Sequence, residues 1–360
     1  MSLTDTVNTT RLPYQSPVEL SVAVSRLLWP TAASPLLPKV IILAPENLFP
    51  YSFMASSLIH DPVMGNKLLM PTDELPALTF EEIRRINPQG AAGLPPVILV
   101  GPFEENVIQG VEDAGYPVLH IMGKNVFATA ASVARLRREI PPASPDGPVS
   151  LMLVSADNPF DGMAVSYYAA HSGVPVLFTY PDRLPRATAA VLEEMKDKYV
   201  YIIGTRRTIA QNVISEVNAI IEKPARHIAG RNPYVTAIEF AAYHDPESGF
   251  GWNRNRKGRG DAFSYACIDC WELATAGSSL AHRGKHTPLL LVEDNRLTAP
   301  VQDYLDLLRP PHRVPPRPPF MHGFILGDET IISRKLQAEI DAHMQMAPPE
   351  AEPLEPKPKK

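Results

Sequence analysis

The sequence predicts an α/β protein made of three tandem parallel-sheet modules, and three observations carry that prediction. Residues 120–130 (HIMGKNVFATA) recur at an offset of 107 as residues 227–237 (HIAGRNPYVTA), with six identities and conserved chemistry at Lys124/Arg231 and Phe127/Tyr234. Such a period is too long for a solenoid repeat, so each copy is expected to be a small domain. Short apolar runs alternate with helical patterns, which argues for parallel strands covered on both faces and joined by right-handed crossovers. A glycine closes the third run of every copy, at Gly101, Gly204 and Gly327, where the chain must turn sharply at the carboxyl edge of a sheet.

The modules are placed at residues 18–125, 126–232 and 233–346, behind an N-terminal extension of residues 1–17 and ahead of a tail of residues 347–360. Each opens on an apolar helical stretch, at residues 18–28, 126–140 and 234–244. A buried strand follows at residues 40–43 and 151–154, and the third copy shows no clear counterpart. A short turn and an Ala/Ser-rich helix come next, aligning residues 47–50 (NLFP) with 158–161 (NPFD) and, in the third copy, with 260–263 (GDAF). The second strand is read at 67–70, 175–178 and 288–291, and a proline-bearing turn leads into helices at 79–86, 187–195 and 299–308. The glycine-ended third strand occupies 97–101, 200–204 and 323–327, and a further helix closes each unit.

These phrases resemble a known family. Residues 227–237 are similar to the "RIaGaNRYeTA" signature of the bacterial cell-wall-binding repeat 2 family, residues 160–164 (FDGMA) and 260–263 to its "fpDAlaa" motif, and residues 201–204 and 324–327 to its "vyilGG" strand. The resemblance spans roughly residues 18–346. It implies Toprim-like or flavodoxin-like units packed as a pseudo-threefold triangle, and noncovalent attachment to an anionic cell-wall polymer. The sequence also departs from the family. The Arg and Glu of "NRYeT" are Pro233 and Val235 here, and Val126 and Ala128 in the earlier copy, while the motif's Asp is kept at Asp161 and Asp261 but is Pro50 in the first copy.

At 360 residues and 45% hydrophobic the chain can bury a substantial core, and its net charge of −5 argues against a general nucleic-acid binder. No stretch approaches the ~18 apolar residues of a membrane span. The N-terminus has no basic start, apolar run or cleavage site, which reads as cytoplasmic, whereas the family resemblance implies the cell envelope or the exterior. The 39 prolines concentrate in loops and termini, notably in residues 309–319 (RPPHRVPPRPP), an extended loop, and in the tail, which is expected to be disordered or to serve as a proline-rich ligand.

Residues 249–261 (GFGWNRNRKGRGD) form a basic loop with Arg254, Arg256, Lys257 and Arg259 near Trp252. Guanidinium groups grip carboxylate or phosphate and an indole can stack on a sugar, so these residues, with Arg231 and Lys124, are the candidate ligand-binding set; a solvated or partner-covered loop is the competing reading. His120, Asn125, His227, Asn232, Asp161 and Asp261 are expected at module junctions, the two aspartates as helix caps, and Thr205, Thr208 and Thr330 as caps of the helices after the third strands. Cys267 and Cys270 are read on one face of the helix after Asp261. They are two small buried residues, a redox pair, or half of a metal site completed by His282 and His286. No nucleotide loop and no assembled catalytic motif occurs, so no cofactor, metal or catalytic residue is expected. The expected function is a non-catalytic binding or scaffold protein on an anionic glycopolymer. The alternatives are a component of a protein assembly and an enzyme acting on a phosphorylated or sugar substrate.

Overall fold

The computed structural model describes residues 5–34, 36–140, 150–284 and 286–348, so residues 349–360 of the tail lie outside it. The chain begins with β1 (Thr9–Leu12) and α1 (Pro17–Leu28). It then builds a first sheet from β2 (Val40–Pro45), β3 (Gly65–Met70), β4 (Val97–Val100) and β5 (Val118–Ile121), with α2 (Phe49–Ala55), α3 (Ala77–Ile86) and α4 (Glu105–Asp113) between them. A second sheet follows α5 (Val126–Glu139) and holds β6 (Ser150–Ser155), β7 (Val176–Thr179), β8 (Tyr199–Ile203) and β9 (Arg226–Ile228), connected by α6 (Met163–Ser172), α7 (Arg186–Glu194) and α8 (Gln211–Ile220). After α9 (Pro233–Ala242) come β10 (Ala262–Cys267), β11 (Leu289–Val292) and β12 (His322–Leu326), with α10 (Trp271–Ala276), α11 (Leu280–Arg283) and α12 (Ala299–Leu308) between them and α13 (Arg334–Met344) behind.

The three sheets share one topology. Their strand orders are β3-β2-β4-β5, β7-β6-β8-β9 and β11-β10-β12-β1, and every pairing is parallel. Helices cover both faces, so all six residues of β2 and of β6 are buried and their sequences read as continuous apolar runs. The glycine after each third strand takes a left-handed φ of +126° at Gly101, +144° at Gly204 and +121° at Gly327, which a Cβ would oppose. Its N–H donates to the last residue of the fourth strand, at Ile121, Ile228 and Leu12.

Residues 9–12 are therefore not part of an extension. They are the fourth strand of the third sheet, with Thr9 opposite Gly323 and Leu12 opposite Leu326. The helices that leave the fourth strands complete the design: α1 lies on β3, α5 on β7 and α9 on β11, so each covers the next sheet. The modules thus form a closed pseudo-threefold ring, with α2, α6 and α10 packed on one another at its axis. There the Phe49 ring meets Trp271 edge-on at 5.9 Å, and the Tyr167 hydroxyl donates to Ala274 O at 2.9 Å. One hydrophobic core runs through all three modules, and separate clusters fill the outer faces of the third and first sheets.

Three readings of the third module are corrected. Its first strand exists as β10, directly after the basic loop, and its small and polar residues Ser264 and Cys267 hide the apolar pattern. The turn equivalent to residues 158–161 is residues 269–272 (DCWE), so Asp261 precedes a strand rather than a helix. For the same reason Cys267 ends β10 and Cys270 stands at the N-cap of α10, not on one helical face.

Candidate functional site

Two junctions carry the repeated phrase, and its residues do the same work in both. Nε2 of His120 and of His227 lies 2.7 Å from the carbonyl oxygen of Gly101 and Gly204 respectively; burial pushes the His227 imidazole below its ordinary range. Asn125 caps α5 by accepting from Ala128 N at 2.9 Å, and Asn232 caps α9 by accepting from Val235 N at 3.0 Å. Thr129 and Thr236 accept from Gly123 N and Gly230 N, each at 3.0 Å. A Cβ at Gly230 would sit 2.5 Å from Thr236 N, which explains the glycine. Lys124 and Arg231 stand exposed between glycine and cap, at the starts of α5 and α9.

A third copy of this junction closes the ring. Arg11 takes the histidine's place, with Nη1 donating to Gly327 O at 2.8 Å, and Ser16 caps α1 by accepting from Glu19 N at 3.3 Å. Gln15, at the position of Lys124 and Arg231, donates to Asp328 Oδ2 at 2.6 Å. The readable trace in the sequence is the capping pair Ser16 and Glu19 ahead of an apolar run.

The two aspartates do not cap helices. Asp161 Oδ2 accepts from Thr205 N at 3.0 Å, Thr205 Oγ1 at 2.8 Å and Thr208 Oγ1 at 2.6 Å, tying the turn before α6 to the loop after β8. The threonines are consumed there, and the N-cap of α8 is Ala210, without a side-chain bond. Thr330 bonds Asp328, and Ser333 caps α13. Asp261 is held by Arg254 Nη1 at 2.8 Å and Arg259 Nε at 3.2 Å; burial pushes its carboxyl up against the pull of both arginines.

The basic loop is consequently divided in two. Its first half is an anchor: Phe250 stacks on Tyr201 at 3.6 Å, Trp252 stacks on His171 at 4.5 Å, and both are buried. Trp252 is therefore covered rather than presented to a ligand, and Arg254 and Arg259 are engaged by Asp261. Arg256 and Lys257 remain exposed without a side-chain partner among the described residues. Lys257 opens onto a groove of about 630 Å³ that it shares with Arg309, His312 and Arg313 of the proline-rich strap and with Ala347 and Pro348. Among the described residues Asp306 is the groove's one carboxylate, already bound by Arg309 at 3.0 Å and His343 at 2.9 Å. His312 and Arg313 of the strap escape a reading by motif, because only folding lays residues 309–319 beside residue 257.

Cys267 and Cys270 are free thiols; hydrogen bonding to Cys270 draws Cys267 down to about 7, and the same contact pushes Cys270 up. His282 is buried and His286 exposed, and among the described residues no group of three or more His, Cys, Asp or Glu is arranged to hold a metal ion. No helix among the described residues is long and apolar enough to cross a membrane.

Residues 120–214 match the model of the family Cell wall binding domain 2. The match starts at His120 in β5 and ends within α8, so the family unit begins on the last strand of one sheet and runs into the next. The chain is 30% identical over 94 residues to the amidase enhancer of Bacillus subtilis (strain 168), which is 26% of this chain and 13% of that protein. It is 28% identical over 144 residues to N-acetylmuramoyl-L-alanine amidase LytC of the same organism, which is 39% of this chain and 26% of that protein. The chain thus spans a quarter or so of these relatives at most. Among solved structures, Cwp6 from Clostridium difficile superposes with a TM-score of 0.75 at 16% identity, covering 95% of this chain and 49% of that one. Cwp8 from Clostridium difficile gives 0.72 at 18% identity, covering 94% and 52%. At such identities the likeness concerns the fold, and it extends over nearly the whole chain.

Proposed function

We propose that this chain, which carries the Cell wall binding domain 2 module in residues 120–214, attaches noncovalently and without catalysis to an anionic cell-wall glycopolymer at the envelope. The observation that carries the reading is the groove of the third module, where Lys257 and His312 are exposed, Arg313 is half-buried, and among the described residues the one acid, Asp306, is paired with Arg309. Arg256 stands beside it. Closely spaced basic side chains can meet the repeating anionic groups of a polymer. Lys124 and Arg231, on two successive junctions, provide further exposed charge along the ring.

Co-sedimentation with purified anionic cell-wall polymer tests this, with neutral glycan as the comparison. Joint replacement Arg256→Ala, Lys257→Ala and Arg313→Ala is expected to weaken binding at least tenfold, about 1.4 kcal/mol, and added salt is expected to do the same. Unchanged binding would remove the groove from the polymer site. A protein partner is the second reading, favoured by the apolar residues Val314 and Phe320, which are 79% and 54% exposed on the same strap. Salt-insensitive capture that needs Phe320 would support it.

A further inference from the structure

Each module places a histidine eleven residues after the aromatic that follows its first strand: Phe49 and His60, Phe160 and His171, Trp271 and His282. The ring gathers these three histidines at one end of the axis, where α6 packs against both the turn at Ser56–Leu58 and α11. The rings of His60 and His282 are 4.9 Å apart, and His171 stacks on Trp252 with its Nδ1 3.2 Å from Nδ1 of His286. His282 is 7% exposed, and its Nε2 has no hydrogen-bond partner among the described residues.

The charges around the cluster oppose a proton. Arg137 reaches in from α5, donating to Gly173 O at 3.2 Å; Arg283 extends from α11, and Arg254 donates from the anchored loop to His286 O at 3.1 Å. Against them stand Asp61, which is 3.0 Å from Arg283 and 3.7 Å from His282, and Asp261, which Arg254 and Arg259 already engage. Tyr168, whose ring lies tilted 6.1 Å from that of His171, accepts from Gly251 N at 2.6 Å through its hydroxyl oxygen.

We propose that His60, His171 and His282 form an acid-sensitive clasp of the module ring, closed while the imidazoles are neutral and loosened when they take up protons. Burial draws His171 down to about 3 and His282 to about 4, and it lowers His60 as well. His171 and His282 are therefore neutral in the folded protein and protonated in the unfolded chain below about pH 6.5, and His60 shifts in the same direction, so the stability these groups contribute is full above that pH and is lost as pH falls below it. Every such histidine multiplies the unfolding constant about tenfold per pH unit in that range. Burial lowers the pKa of Lys67, His227 and His286 as well, a background that replacing His171 and His282 leaves in place.

Urea unfolding of the full chain between pH 7.5 and 5 tests the clasp, together with an NMR titration of the histidine rings. Below pH 6.5 the unfolding constant is expected to steepen by two to three tenfold steps per pH unit, and the double variant His171→Gln, His282→Gln is expected to remove about two of them. In the wild-type protein these rings should keep their neutral shifts to pH 5. A wild-type slope that does not steepen, or a slope that the double variant leaves unchanged, would overturn the proposal. If the variant does not fold, the wild-type titration decides: rings that protonate near pH 6.5 while the protein stays folded would also overturn it.

Discussion

At the β5–α5 and β9–α9 junctions an imidazole holds the carbonyl of the strand-ending glycine through one contact. At the β1–α1 junction a guanidinium does so, and it also reaches Asp328 O at 2.9 Å, Ser333 O at 3.4 Å and Gln337 Oε1 at 3.0 Å. The difference follows from connectivity. The histidine junctions lie within continuous chain, where covalent linkage keeps neighbouring modules close; the third joins strands from opposite ends of the sequence, and only contacts hold it. Asp341 adds to those contacts, its Oδ1 accepting from Thr6 Oγ1 at 2.6 Å and from Asn8 N at 2.7 Å. Arg11 is 2% exposed, and burial lowers its pKa, so it costs desolvation that its several acceptors must offset.

Removing residues 1–12 breaks the comparison most severely. The ring opens, and we expect a loss of at least about 4 kcal/mol, with the third sheet unfolding ahead of the others in a denaturant titration followed by hydrogen exchange. Arg11→Ala keeps the strand and removes the clamp, leaving buried carbonyls unpaired; about 3 kcal/mol is expected from urea unfolding. His120→Ala or His227→Ala should cost about 1 kcal/mol each, and a cost equal to that of Arg11→Ala would erase the distinction between open and enforced junctions. Asn125→Ala, Asn232→Ala and Ser16→Ala remove equivalent caps and should lower stability by similar amounts of about 0.5–1 kcal/mol. Arg256→Ala with Lys257→Ala should change stability by less than about 0.5 kcal/mol, which makes the pair a clean probe of ligand binding.

The same contrast explains what the sequence makes legible. The central strands are visible because burial on both faces leaves unbroken apolar runs such as β2 and β4. The fourth strand of the third sheet is not, since β1 reads Thr-Thr-Arg-Leu, and β9 leaves only a faint trace, with three residues, two of them half-buried. The junction phrase is legible twice because His, Gly and Asn recur. Its third form keeps the carbonyl contact with Arg11 and the cap with Ser16, while Tyr14 N donates to Leu12 O at 2.9 Å instead of to a threonine hydroxyl, so residue matching fails where part of the hydrogen-bond geometry persists. In the candidate site the loop's positive charge is evident from composition, but its division is not: Asp261 engages Arg254 and Arg259 only because β10 begins at Ala262.

The closed ring is tested most directly by backbone nuclear Overhauser contacts between residues 9–12 and residues 323–326 in the full chain. Contacts in the parallel register that sets Thr9 beside Gly323 and Leu12 beside Leu326 are expected, together with slow amide exchange through both segments. A mobile, rapidly exchanging N-terminus, or pairing of residues 9–12 with any other strand, would contradict it.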